Sequence, residues 1–182
     1  MRSCDGSPGL ARATAAGTSD PAHERAAVVA EALAWEGTAF HHMGRLKIRR
    51  DADGVVLDRG GADCAYATLL IYRAALPHRV PAMEFGYYAP TWNLSRESAA
   101  GERYLATVTA LPGVREVAAG EMPGPGDLAL FRWGLAWAHG AIVIGWPMIA
   151  HANAEAGCFM RDRVDQGRLA RRPRRFFTFW AE

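Results

Sequence analysis

Cysteine is scarce in this chain, and what there is of it is scattered: Cys4, Cys64 and Cys158 are too few for a disulfide framework, and no CxxC pair points to a zinc site. Free thiols in a reducing compartment are the expectation. No apolar run approaches the roughly 18 to 20 residues that a membrane helix needs, so no membrane span is expected. A strong charge of either sign is missing too. The formal net charge is +2, which is not the field of a dedicated nucleic-acid binder. The first twenty residues are small and polar and lack a continuous apolar segment of export-signal length. They read as a flexible tail over residues 1–19, with Cys4 incidental and synthesis in the cytoplasm. Internal repeats are absent as well, and the 182 residues fit one domain, expected over 20–182.

What is present centres on Gly60-Gly61-Ala62-Asp63-Cys64 and the apolar stretch that follows to Tyr72. Glycines permit a tight bend, Asp63 suits an N-cap, and the residues from Cys64 onward run helix-like until Leu76-Pro77 stops them. Sulfur in a first helical turn faces unpaired N–H groups and the positive end of the dipole, which predicts a lowered thiol pKa and an available thiolate. The alternative is a small buried hydrophobe. Upstream, Asp20-Pro21 starts a helix whose expected apolar face is Ala26, Val29, Ala30, Leu33 and Ala34, ended by Gly37. Residues 45–61 mix both charge signs around Asp53-Gly54 and read as a solvated hairpin or loop. Residues 77–90 form a proline-rich loop which, with Trp92 just beyond it, carries Phe85, Tyr87 and Tyr88, and a helix is expected from about Ser95 to Ala110.

After the hard turn Met122 to Asp127 the pattern becomes strand-like: Leu128 to Trp133, His139 to Ile144, Met148 to Ala152 and a last run, Phe176 to Trp180. Helices first and a small antiparallel sheet second make an α+β layout. A cysteine nucleophile needs a base, and the base needs a partner that fixes its ring. His139 and His151 have their midpoint at residue 145, inside the turn Gly145-Trp146-Pro147. A hairpin centred there brings the two rings together on one strand face. Each histidine alone also has a structural reading. A zinc set of His41, His42, His139 and His151 has no standard ligand spacing. The arginines between Arg168 and Arg175 read as a solvated edge rather than a nucleic-acid patch.

Taken in order, Gly37-Thr38-Ala39-Phe40-His41-His42, Gly61-Ala62-Asp63-Cys64-Ala65, Pro125-Gly126-Asp127-Leu128-Ala129-Leu130-Phe131, Ala138 to Gly145 and Ile149-Ala150-His151-Ala152 resemble the NlpC-type papain-like cysteine peptidases of bacterial cell walls, and within them the branch associated with phage tails and gene transfer agents. The resemblance runs from about residue 21 to the end. It implies a cysteine-bearing helix packed on a small antiparallel sheet that carries the histidines, with Cys64 as nucleophile, His139 as general base and His151 as the polar third member. Asp63, Phe40, His41 and His42 would form the substrate and oxyanion neighbourhood. The implied activity is cleavage of stem-peptide amide bonds in peptidoglycan, at a D-glutamyl to diaminopimelate linkage, with no metal or organic cofactor. The implied partners are peptidoglycan stem peptides and phage-like tail-tip proteins, the protein travelling in a tail particle to act on a host wall; an amidase or acyltransferase using the same triad, and a structural tail-tip component, are the alternatives. The chain departs from many relatives at Phe40, where a tyrosine hydroxyl would be able to donate to the oxyanion, and in the charged insertion at about residues 47–58.

Overall fold

The computed structural model describes residues 20–82, 86–94 and 102–181. The expected tail with Cys4, the residue Phe85 and the first part of the helix expected from Ser95 lie outside the described residues. Helix α1 (Pro21–Leu33) starts as its sequence dictates: the Asp20 side chain accepts from the Ala22 N–H at 3.1 Å and Pro21 occupies the first turn. Its buried face is Glu24, Val28 and Ala32 rather than the Ala26, Val29 and Leu33 stripe read from the sequence. The helix is rotated by a polar anchor. Glu24 is almost fully buried because His78 Nε2 (2.9 Å), Arg79 Nη2 (2.8 Å) and Trp180 Nε1 (2.7 Å) all converge on its carboxylate, so an acidic residue sits on the inner face and Leu33 is turned outward.

Strands β1 (Arg45–Leu46), β2 (Arg49–Arg50), β3 (Val56–Asp58) and β4 (Gly61–Ala62) follow. β2 and β3 form an exposed antiparallel ribbon around Asp53-Gly54, as the mixed charges predict, and β1 pairs with β4. Helix α2 (Cys64–Ala75) is capped by Asp63, whose side chain accepts from Tyr66 N at 2.9 Å. It buries Ala65, Tyr66, Ala67, Thr68, Leu69, Ile71 and Tyr72, which span most of its circumference and make it the central helix. A short 3₁₀ turn (Trp92–Leu94) and helix α3 (Arg103–Thr109) complete the helical layer.

Strands β5 (Arg115–Glu116), β6 (Leu128–Trp133), β7 (Ala136–Gly145), β8 (Met148–Asn153), β9 (Cys158–Arg163) and β10 (Arg174–Thr178) form one sheet in the order β5-β10-β6-β7-β8-β9, with antiparallel neighbours throughout. One face, with Leu128, Leu130, Ile142, Ala150, Phe159 and Phe177, packs on the helices; Ala129, Phe131, Ala141, Val143 and Ile149 form a second cluster on the reverse face, closed by Val164 and Leu169. This alternation is the period-2 pattern of a sheet covered on both sides. The last strand begins at Arg174, earlier than the apolar run suggests, and Phe179 and Trp180 leave it to join the helix-side core. Strand β9 has no counterpart in the sequence reading. Its alternating Arg161, Asp162 and Arg163 look like surface loop until it pairs with β8. Gly140 lets α3 come close to the sheet: a Cβ there would lie 2.0 Å from the hydroxyl of Tyr104 on α3.

Candidate active site

The first turn of α2 delivers Cys64 to the sheet. Asp63, just before it, is held on all sides: Met43 N–H donates to Oδ2 at 2.8 Å, Tyr66 N–H donates to Oδ1, the Tyr88 hydroxyl donates to Oδ2, and His42 Nδ1 lies 3.9 Å away. Its role is to fix where the helix begins. The thiol of Cys64 points to the carbonyl of Ala138 on β7 at 3.5 Å. Burial pushes it up to about 12, and the Asp63 carboxylate next to it adds to the shift; N–H groups of Gly140, Cys64 and Ala65 that face the sulfur oppose it without winning. This corrects the expectation of a lowered thiol. A helix start does supply N–H groups, but the same geometry caps that start with a carboxylate and half-buries the cysteine between helix and sheet at the cavity wall, and loss of hydration outweighs the dipole.

His139, on β7, sits against Phe131 and Trp133, with ring centroids 6.0 and 5.7 Å away. Its Nε2 is 2.7 Å from Nδ1 of His151 on β8, and the two rings meet edge to face. A hairpin centred on Gly145 would place these residues directly opposite. The bulge between Val143 and Gly145 instead pairs Ile142 with Ala150 and Val143 with Ile149, a register centred on Trp146 that brings His151 level with Ala141. The shift preserves strand parity, so the histidines remain on one face as diagonal neighbours, a separation two rings can span. Burial, then the neighbouring His151, lowers His139 to about 3. Burial also lowers His151, against an opposing pull from Asp162.

Asp162, on β9, is the residue that sequence reasoning missed. Its carboxylate Oδ2 lies 3.5 Å from His151 Nε2, an ion pair only when that imidazole is protonated, and this buried nitrogen has no hydrogen-bond partner among the described residues. The only advance signal was its pairing opposite Ile149, which requires β9 to be recognised first. One tautomer arrangement uses every atom: His139 donates from Nε2 to His151 Nδ1, and His151 carries its proton on Nε2 toward Asp162. Nδ1 of His139, which makes no hydrogen bond among the described residues, is then the free base.

Cys64, His139, His151 and Asp162 line one cavity of about 430 Å³, walled also by Phe40, Trp92 and Trp133. Phe40 reaches it because Ala39 and Phe40 bridge Cys158 and Ala62. Among the described residues no hydrogen bond joins Cys64 to His139. At neutral pH the site therefore holds a neutral thiol and neutral imidazoles in one pocket. His41 is exposed, and His42 Nε2 bonds the carbonyl of Tyr88 at 2.8 Å, buttressing Asp63 from outside the cavity. The four-histidine zinc set is not assembled, and among the described residues no group of three or more His, Cys, Asp or Glu side chains is arranged to hold a metal.

No family model and no curated protein matches this sequence. Solved structures do match in fold. The NlpC/p60 domain of the peptidoglycan hydrolase SagA superposes with a TM-score of 0.51 at 18% identity, covering 83% of this chain and 96% of that one. The peptidoglycan hydrolase RipB of Mycobacterium tuberculosis superposes with a TM-score of 0.55 at 16% identity, covering 92% of this chain and 70% of that one. RipD of Mycobacterium tuberculosis, described as a non-catalytic NlpC/p60 domain protein adapted to peptidoglycan binding, gives 0.50 at 13% identity, covering 84% and 95%. The architecture is α+β with the papain-like NlpC/p60 fold.

Proposed function

We propose that this protein is a cysteine peptidase of bacterial cell walls that cleaves stem-peptide amide bonds of peptidoglycan, with Cys64 as nucleophile, His139 as base and His151 as its orienting partner. The observation that carries the reading is the hydrogen-bonded His139–His151 pair lining the same cavity as a cysteine at a helix start, in a fold shared with peptidoglycan hydrolases. In the reaction, Nδ1 of His139 takes the thiol proton as sulfur adds to the scissile carbonyl. The proton then passes to the departing amine, leaving a thioester on Cys64. Water, deprotonated by the same nitrogen, hydrolyses the thioester and returns the thiol. His151 and Asp162 stabilise the imidazolium while it lasts. N–H groups of Cys64 and Gly140, which face the sulfur, are the oxyanion donors at hand, because Phe40 has no hydroxyl to offer.

The finer reading rests on the motif resemblance. The bond cut is the D-glutamyl to diaminopimelate linkage, the catalytic unit is the single domain spanning 20–182, and the protein is carried with phage-like tail components to a host wall. Loss of turbidity of purified sacculi, followed by mass spectrometry of the released fragments, tests this; fragments ending in an intact stem peptide would instead identify an amidase. A second reading, a wall-binding domain without catalysis, is favoured by the neutral resting thiol and by the likeness to RipD. Unchanged sacculus lysis by a Cys64→Ala protein would exclude the triad mechanism.

A further inference from the structure

We infer that Arg172 forms a carboxylate-binding subsite in the recess adjoining the mouth of the Cys64 cavity, which engages a free carboxylate of an acidic peptide substrate. The inference rests on the peptidase reading for the identity of the peptide, and on separate observations for the subsite. The segment after β9 folds back over the sheet, anchored by Val164 and Leu169 in the reverse-face cluster. It presents Arg168, Arg171 and Arg172 around a recess of about 590 Å³ that shares Gly167 and Arg168 with the catalytic cavity. Trp133 joins the two. The Arg172 guanidinium lies 4.2 Å from its ring centroid and that of Arg168 5.8 Å, while the same ring lies 5.7 Å from His139.

Stacking fixes a guanidinium plane but leaves its N–H edge free, and that edge matches a carboxylate bidentately. Of the acidic groups around the cavity, Glu155 is already paired with Arg168 and Asp162 is turned toward His151. Arg171 and Arg172, by contrast, have no carboxylate partner among the described residues, and Arg172 is half-buried where an arginine in a merely solvated edge would be free in water. A cation stacked on Trp133, a ring that also walls the catalytic cavity, selects substrates that place an anion on that side of the scissile bond. A polyanion fits less well, since Glu155 and Asp162 flank the same opening and the chain carries only +2.

The test is calorimetric binding to the Cys64→Ala protein, with Cys64→Ser as a second variant should the first misfold. The probes are two synthetic L-Ala-γ-D-Glu-diaminopimelate peptides, one with free side carboxylates and one with them converted to primary amides. The free acid is expected to bind at least tenfold tighter. Arg172→Gln, shown folded by circular dichroism, is expected to bring the two within threefold, and Arg172→Lys to restore only part of the preference. Equal affinity for the two peptides, no binding of either, or an undiminished preference in Arg172→Gln would overturn the subsite. Its failure is separable from that of the peptidase reading: unmodified protein that prefers the free acid but leaves it uncleaved keeps the subsite and removes the enzyme.

Discussion

The reactivity of Cys64 toward an alkylating agent follows from its surroundings. With the thiol pushed up to about 12, the thiolate fraction at pH 7.5 is roughly 3 × 10⁻⁵, against about one tenth for a thiol of ordinary pKa near 8.5. A more basic thiolate is a better nucleophile, with a Brønsted slope of about 0.4–0.5, which recovers a factor of roughly 30 to 50. The net expectation is alkylation about 60- to 100-fold slower than a free model thiol. The assay is iodoacetamide labelling of a Cys4→Ser, Cys158→Ser protein followed by intact mass from pH 6 to 10. The rate should climb close to tenfold per pH unit without a plateau, and His139→Ala should change it little. A plateau near neutral pH at or above the model-thiol rate, abolished by His139→Ala, would refute the reasoning by revealing a preformed thiolate–imidazolium pair. Slow resting chemistry remains compatible with turnover. Moving the proton from a thiol near 12 to an imidazole near 3 costs about 12 kcal/mol, and attraction between the charges at a few ångströms returns about 4 kcal/mol. The remaining ~8 kcal/mol fits inside the ~17 kcal/mol barrier of a reaction at one turnover per second.

Replacing His151 by Ala should lower kcat/KM by about 100-fold or more, because His139 loses the contact that fixes its tautomer, and Asp162→Asn should cost about tenfold with a smaller effect on KM; steady-state cleavage of a defined muropeptide measures both. Stability should depend on pH at both ends. His139 stays neutral in the folded chain down to about 3 while the unfolded chain protonates near 6.5, so stability is lost as pH falls through that window, by up to roughly 5 kcal/mol. Cys64 stays protonated up to about 12, so its contribution is present below about 9 and is lost as pH rises from there. Urea titrations should find the acid loss reduced in His139→Asn and the alkaline loss reduced in Cys64→Ala. Gly140→Ala should destabilise by about 2–3 kcal/mol or more, because its Cβ meets the Tyr104 hydroxyl at 2.0 Å, and it should lower activity further by displacing the strand that faces Cys64; thermal melts and muropeptide cleavage check the two parts.

The parts of this molecule legible in its sequence are those fixed by neighbours along the chain. Asp20-Pro21 and Asp63 start helices because capping and proline geometry are local. The histidine pair was readable because strand parity survives a shift of the hairpin centre from Gly145 to Trp146. What escaped depends on distant contacts. The inner face of α1 is chosen by Arg79 and Trp180 gripping Glu24, a polar residue that no hydrophobic pattern would turn inward. Strand β9 and Asp162 emerge only once β8 offers an edge to pair with. The sign of the thiol shift is not legible locally, because the dipole is visible in a helix-start motif whereas desolvation depends on the distant strand packed against the sulfur.

The most direct test of the nucleophile's assignment is digestion of purified sacculi and of a defined muropeptide by the unmodified chain, Cys64→Ala and His139→Ala side by side, with products identified by mass spectrometry. Cleavage at one stem-peptide amide bond is expected from the unmodified chain, none above background from Cys64→Ala, and a loss of at least 1,000-fold in His139→Ala. Equal cleavage by the unmodified chain and Cys64→Ala, or no cleavage by a folded unmodified chain across the pH range, would contradict the assignment.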